Sequence, residues 1–389
     1  MTRPARPARI DQVLHILAAR DAIGTHVLHT RDALRAAGFG SDIYAGDAHP
    51  EVRAQARPLE ELPVSPRPDS WLLFHHSTGS AVADAVLRRP EPLLVDYHNI
   101  TPPALVRRWA PWIREELELG LEQLGAVAPA SFFGIAHSRF SETELHAAGC
   151  ARTAVVAPLV DLAAFEVTAD AAVPGAHRAE RADGGADWLF VGRVSPHKAQ
   201  HDLIKALACY RRFYDPRARL HLVGSSLGTD YPRALERFAA RLGLGDAVRM
   251  VGTVSDEALA AYYRSADVFV CASDHEGFCV PLVEAMHLGL PVVAYDTAAV
   301  GETVGDGGIV LTDKAPMTVA AAVHRVVADD ALRVALVDAG RRRARAFALP
   351  VGKARLVAAI ETAIETAIEN GAGAAAGAAA GADAGRGTR

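Results

Sequence analysis

The 389 residues are 50% hydrophobic, enough for roughly two or three domains with sizeable cores. A formal net charge of −5 excludes a general nucleic-acid binder, because no domain-wide basic excess is available to neutralise phosphates. The four cysteines, Cys150, Cys209, Cys271 and Cys279, form no C-x-x-C. They suggest neither a zinc site nor a disulfide framework, which fits a reducing, cytoplasmic setting.

The N-terminal stretch M-T-R-P-A-R-P-A-R-I is basic. The apolar run after it is broken by His15 and ended by Arg20 and Asp21, unlike a signal-peptide core, and no run reaches transmembrane length. Residues 13–18 (V-L-H-I-L-A) read as a first strand, 23–37 as a helix stopped by Gly38, and 41–45 as the next strand, a β-α-β opening. Residues 71–74 and 93–97 are further strands. The first runs into His75 and His76, the second into His98, so all three histidines face one rim. Pro102 and Pro103 introduce residues 105–124, rich in Arg and Trp, which turn into a helix. Residues 132–136 form a strand leading to Ser141 and Glu144, spaced as a capping box for a helix to Ala148. Val155 and Val156 close this half. Residues 166–187 are rich in Ala, Gly and charge with little periodicity and read as a linker or surface loop.

A second alternating pattern follows: strands at 188–192, 220–224 and 248–251, with helices at 201–214, 231–242 and 255–265. Residues 267–272 (D-V-F-V-C-A) are a short β-rich run, predicting a buried parallel strand. Beyond a loop, Pro281 opens a helix over 281–288, and Gly289 with Pro291 stops it. Strands at 291–295 and 308–311 and helices at 318–328, 330–346 and 353–369 complete the chain. The Ala/Gly tail from Gly371 has no large apolar side chain and is expected to be disordered. Two αβ halves joined by one linker imply a cleft between domains, the usual place for a small-molecule site. The expected divisions are 1–165, a linker at 166–187, 188–348, a C-terminal helix at 349–370 and the tail at 371–389.

The chemistry-bearing residues concentrate at strand ends. In V-G-R-V-S-P-H-K, Arg193 and Lys198 lie on the loop above the second sheet, where two cations can neutralise two phosphates. Solvated loop charges are the commoner outcome for such a pair alone, and the rim shared with Glu276 reverses that preference. Glu276 falls in the loop after a strand and Glu284 on the first turn of the following helix. A helix N-terminus with Gly277 beside it offers N–H donors to an anion. On spacing alone, the two carboxylates could equally be a capping acid and a surface acid. A glycosidase pair is a further alternative, against which the phosphate-suited surroundings argue. His98 has position as its main claim, since a lone strand-end histidine is commonly satisfied by its neighbours; His75 and His76 are weaker. Cys271 and Cys279 read as packing residues. Arg107, Arg108, Trp109 and Trp112 are compatible with a membrane or a lipid acceptor, but amphipathic helices of soluble domains look alike. The first turn, A-R-D-A-I-G-T-H, lacks the G-x-G-x-x-G of a dinucleotide site.

Taken together, A-I-G-T-H-V, Y-H-N-I-T-P, A-H-S-R-F-S, V-A-P-L-V-D-L-A-A-F, V-G-R-V-S-P-H-K, L-H-L-V-G and E-G-F-C-V-P-L-V-E-A-M-H-L-G-L-P-V-V-A resemble the retaining glycosyltransferases of family 4. The resemblance runs through most of the chain, and E-x7-E in that context is far more specific than the spacing alone. It implies an α/β architecture of the GT-B type, with two Rossmann-like doubly wound domains facing a central cleft. It also implies a nucleoside-diphosphate sugar as donor, a glycan or lipid-linked acceptor, and retention of anomeric configuration. Glu276 would contact the donor sugar, Glu284 the ribose, and Arg193 and Lys198 the diphosphate, with the amides of Gly277, Phe278 and Cys279 beside it. His98 would lie near the reacting face of the sugar, and Ala22, Ile23 and Gly24 would contact donor or acceptor. Two positions depart from the family pattern: Asp21 and Ala22 stand where a Gly-Gly pair is common, and Cys279 where a glycine is common. No D-x-D pair accompanies the site, so no metal or other cofactor is expected. The expected setting is the cytoplasm, including the inner face of the membrane. The remaining alternatives are a sugar-nucleotide epimerase or hydrolase and a non-catalytic nucleotide-sugar-binding protein.

Overall fold

Alternation of β-rich runs with amphipathic helices builds two parallel sheets, each flanked by helices. The computed structural model describes residues 6–19, 21–65, 67, 69–171, 184–226 and 228–384. The first sheet contains β1 (Arg9–Leu17), β2 (Ile43–Ala48), β3 (Arg57–Pro58), β4 (Ser70–His76), β5 (Leu93–Tyr97), β6 (Phe133–Ala136) and β7 (Thr153–Val155), in the order β3-β2-β1-β4-β5-β6-β7. Around it lie α1 (Ala22–Ala36), α2 (Ala81–Leu87), α3 (Pro111–Ala130), α4 (Arg139–Ala147) and α5 (Leu162–Ala171). Strands β4 and β5 are buried at every residue because helices cover both faces, which is why their sequences run apolar without alternation.

The second sheet holds β8 (Asp187–Val191), β9 (Arg219–Val223), β10 (Val248–Gly252), β11 (Val268–Cys271), β12 (Val292–Tyr295) and β13 (Ile309–Leu311), ordered β10-β9-β8-β11-β12-β13. Its helices are α6 (Gln200–Phe213), α7 (Tyr231–Arg241), α8 (Asp256–Ser265), α9 (Val280–His287), α10 (Val300–Val304), α11 (Pro316–Ala328) and α12 (Asp330–Arg345), and α13 (Leu349–Ala384) is the last element of the described residues. In both sheets the strand order reverses beside the first strand, between β1 and β4 and between β8 and β11. A crevice opens there at the strands' carboxyl ends, where such sheets take ligands. Arg193, Lys198 and Glu276 follow β8 and β11. His75 lies near the end of β4 and His98 follows β5, on the facing rim.

The backbone differs from the sequence expectation in several places. Helix α4 starts at Arg139 rather than after Ser141, because Ser138, extended at the end of β6, is the cap; its hydroxyl accepts the Ser141 N–H at 3.1 Å. Glu144 is therefore not a capping partner and turns to Tyr97 and Asn99. Part of the expected linker is α5, whose Leu162 packs with Leu189, Tyr263 and Phe269 of the second domain. Residues 172–183 of that linker lie outside the described residues. Helix α13 crosses back to the first domain, where Leu356, Ile360 and Ile364 are buried against Ile10, Leu34 and Leu94. Its backbone continues through 371–384, for which composition predicts disorder; alanine has the highest helix propensity, so a helix already started meets little resistance there. Residues 385–389 lie outside the described residues.

Candidate active site

On the second domain, Val191 ends β8 and the chain turns through Gly192 and Arg193 to a short helical turn, Pro196–Lys198. Lys198 Nζ meets Glu276 Oε2 at 2.6 Å, and Ser273 Oγ donates to Glu276 Oε1 at 2.8 Å. The Glu276 side chain is only 6% exposed, so this is an ion pair largely out of water. Burial pulls the Lys198 ammonium down, but Glu276 overrides it and the net shift is upward. The ammonium is therefore charged at neutral pH. Lys198 has two further N–H donors to offer an anion. Arg193 is exposed, and its guanidinium makes no ion pair among the described residues. Gly277 and Phe278 lead to Cys279, the N-cap of α9, whose φ of 72° is left-handed. The Phe278 ring packs on Phe347, so only its backbone is available to a ligand.

On the first domain the rim is a buried imidazole cluster around Asp96. His26 Nδ1 accepts the Leu159 N–H at 2.9 Å, so the ring proton is on Nε2, which donates to Asp96 Oδ2 at 2.8 Å. His137 Nδ1 donates to the Val156 carbonyl at 2.8 Å. Its Nε2 is left 3.2 Å from Asp96 Oδ1 and 3.1 Å from His98 Nδ1. His98 Nε2 meets His75 Nδ1 at 3.0 Å, and His75 Nε2 reaches Gln12 Oε1 at 2.8 Å. Burial alone would push the Asp96 carboxyl up, but His137, His26 and His98 outweigh it and hold it well below its ordinary value. Burial pulls His137 down, and Asp96 overrides that to raise it. Burial dominates at the other two rings, lowering His26 to about 4 and His98 well below its ordinary value. The fold thus favours the charged forms of Asp96 and His137 and the neutral forms of His26 and His98. Both His98 nitrogens are taken up inside it, so a sugar hydroxyl would have to replace one of those contacts.

The two rims touch. His275 Nε2 donates to Asn99 Oδ1 at 2.6 Å, Ser138 Oγ to the Gly277 carbonyl at 2.9 Å, and the Arg139 N–H to Glu302 at 2.8 Å. A side chain at Gly277 would run into Asn99, which explains the glycine. Away from this contact, Ala22, Ile23 and Gly24 form the first turn of α1. The Asp21 carboxylate accepts the Ile23 and Gly24 amides at 3.1 and 3.4 Å, so these donors already serve an anion. Gly24 has a packing reason as well, since a Cβ there would collide with the Ala18 carbonyl. His76, directed at the Gly120 carbonyl, is structural.

Among the described residues, two groups carry ligand-type atoms lying within 4.8 Å of one another: His26, Asp96, His98 and His137, and Cys271, Glu276 and Cys279. In the first set the imidazole nitrogens are already engaged with Asp96, with one another, with His75 or with the backbone of Leu159 and Val156. In the second, the Lys198 ammonium occupies the carboxylate. A metal ion would have to displace these bonds in either place.

Residues 177–343 match the model of the family Glycosyl transferases group 1. The match falls on the second domain. D-inositol 3-phosphate glycosyltransferases from Geodermatophilus obscurus and Kineococcus radiotolerans are 36% and 35% identical over 255 and 219 residues. These matches cover 62% and 52% of this chain, which spans about half the length of the curated relatives it matches, 54% and 50%. Sucrose-phosphate synthase from Thermosynechococcus elongatus aligns with a TM-score of 0.72 at 21% identity, over 92% of this chain and 100% of its own. Anabaena HepE in complex with UDP-glucose aligns at 0.67 and 18% identity, over 90% of this chain and 99% of its own. At such identities the likeness shows the fold, which is GT-B. Among the described residues no helix is long and apolar enough to cross a membrane.

Within the matched second domain, Glu284 on α9 accepts the Tyr263 hydroxyl at 2.7 Å. Burial pushes its carboxyl up from 4.5 to about 6, with the Tyr263 bond opposing. The folded state therefore holds this proton more tightly than the unfolded chain, so the associated stability is complete below pH 4.5 and lost as pH rises through about 6. Glu284→Gln is expected to raise unfolding free energy in urea by about 1 kcal/mol near pH 8 and to change it little near pH 4.5. A gain equal at both pH values would show that the carboxyl is not the cause.

Proposed function

We propose that the protein transfers a sugar from a nucleoside-diphosphate sugar to an acceptor hydroxyl, with retention of anomeric configuration. The observation that carries this reading is the Lys198–Glu276 pair with exposed Arg193 beside it, at the switch point of the second sheet and against the histidine rim of the first. Departure of a nucleoside diphosphate builds negative charge on phosphate and oxocarbenium character on the sugar. Arg193 and the free donors of Lys198 would meet the first, together with the amides of Gly277, Phe278 and Cys279; each well-aimed donor contributes on the order of 10² to 10³ in rate. Glu276 would orient the sugar hydroxyls and Glu284 the ribose. The acceptor, held by the first domain, would attack from the leaving-group side. Contact between the rims at Asn99, Ser138 and Gly277 would exclude water from that step. The side chains and amides supply the electrostatic stabilisation, so no metal ion enters the proposal.

The names of the relatives support sugar transfer, and the neighbour holding UDP-glucose makes uridine the first base to try. The acceptor is proposed to be a glycan or a lipid-linked glycan, with D-inositol 3-phosphate added to the panel because the relatives' names carry it. Thermal and urea unfolding with UDP, GDP, ADP and their sugars tests the donor. A true donor at 100 times its dissociation constant adds about 2.7 kcal/mol. Failure of every nucleotide at millimolar concentration would refute the reading. Consumption of a sugar nucleotide without any acceptor would point to the hydrolase or epimerase alternative instead.

A further inference from the structure

Cys271 ends β11 and Cys279 caps α9, and the loop between them carries Glu276. The two sulfurs lie within 4.8 Å of each other. Ser273 Oγ lies 3.4 Å from Cys271 Sγ and donates to Glu276 Oε1 at 2.8 Å, linking the thiols to the carboxylate. Cys279 sits at φ 72°, where glycine would be unstrained and a side chain is not. Neither thiol has a part in the proposed transfer. The other two cysteines pack elsewhere, Cys150 in the core of the first domain and Cys209 on α6.

We propose that Cys271 and Cys279 form a redox modification site, which a hydroperoxide closes into a reversible disulfide that disables the donor-binding loop. Cys279 is half-buried and Cys271 buried, so a small oxidant would approach the pair from the Cys279 side. The neighbouring Cys279 thiol holds Cys271 below its ordinary value, and Cys271 in turn pushes Cys279 up, so Cys271 supplies the first thiolate. That thiolate takes one oxygen of the hydroperoxide. The O–O bond breaks, and water or an alcohol leaves with the former Cys271 proton. The Cys279 sulfur then attacks the sulfenic acid and expels hydroxide, which departs as water with the Cys279 proton. Each sulfur gives up one electron, and the hydroperoxide accepts both. An S–S bond of about 2.05 Å requires Cys279 to move toward the end of β11. This draws the Gly277–Cys279 backbone and Ser273 away from their present places around Glu276. The effect on ligand binding rests on the donor-site reading; the cross-link does not.

The full chain is treated with hydrogen peroxide, and one portion is digested without reductant for mass spectrometry. A second portion is titrated with UDP by calorimetry. The expected result is a linked Cys271–Cys279 peptide pair that dithiothreitol removes, and a UDP affinity that falls by about tenfold or more and recovers on reduction. Cys271→Ser keeps a small polar side chain beside Ser273. It is expected to bind UDP as the unsubstituted protein does and to keep that affinity after peroxide, whereas Cys209→Ser stays sensitive. Oxidation of both thiols without the link, a link to Cys150 or Cys209 instead, or a fully cross-linked protein with unchanged UDP affinity would overturn the proposal. Should UDP fail to bind even the reduced protein, the donor reading fails, and the mass spectrum alone decides the disulfide.

Discussion

Glu276→Gln is expected to lower sugar-transfer turnover by about 10² to 10³-fold while leaving secondary structure intact. Glutamine fills the same space, and its carbonyl can still accept from Ser273. What disappears is the negative charge 2.6 Å from Lys198. The ammonium, held up by that carboxylate against burial, would then be drawn to another anion or lose its proton. Either outcome alters the electrostatics seen by the leaving diphosphate. Lys198→Ala should be at least as damaging and also less stable, because it strands Glu276 as a mostly buried carboxylate without its cation. Breaking such a pair from one side costs about 3–5 kcal/mol. The double variant Lys198→Met with Glu276→Gln removes both charges and should recover part of that stability without recovering turnover. A coupling energy above about 1 kcal/mol with no return of activity would separate the structural share of the pair from the chemical one. Unchanged turnover in both single variants would refute transfer at this site.

The strand at Leu93–Tyr97 and the helix near Pro281 were legible because local chemistry agrees with the tertiary outcome: an apolar run between turn residues, and a proline at a helix start with a glycine past its end. The shared rim of Arg193, Lys198 and Glu276 was legible as well, since each follows a strand and parallel strands share one carboxyl edge. The partner of Lys198 was not. Sequence reading aims it at phosphate, while the fold places it on Glu276, and only three-dimensional distance decides between two anions. The histidine cluster was hidden for a related reason. His26 lies 70 residues from Asp96, and His137 comes from the loop after β6, so no spacing rule connects them. One signal was present: Asp96 is a lone charge inside a strand otherwise apolar enough to be buried on both faces, and a buried charge requires partners. The cap at Ser138 rather than Ser141 shows the opposite limit. Two serines in one loop both suit a cap, and the end of β6 selects the earlier one.

Asp96→Asn is expected to destabilise the protein by about 3–5 kcal/mol, because the imidazoles around Asp96 are arranged for an acceptor on each side. His26 Nε2 must donate, since its Nδ1 accepts from Leu159. His137, when protonated, donates from Nε2. An asparagine offers one oxygen and one NH₂, so one of these donors would face another donor. The loss should depend on pH, with a sign set by the shifts. The Asp96 carboxyl is depressed, so its contribution is present above its unfolded value of 3.8 and lost at lower pH. His137 is raised, so its contribution is complete below its unfolded value of 6.5 and lost as pH climbs through the folded value. Their pairing therefore contributes most between these limits. The difference in urea unfolding energy between wild type and Asp96→Asn should be larger near pH 5.5 than near pH 8.5. It should exceed the loss from His76→Gln, where only the contact of His76 with the Gly120 carbonyl is disturbed. A difference that does not change with pH would mean that His137 is neutral and that Asp96 is held by hydrogen bonds alone. Turnover adds an independent readout, because His98 is oriented by His75 and His137. If those rings turn when Asp96 loses its charge, activity should fall even under conditions where the variant is fully folded.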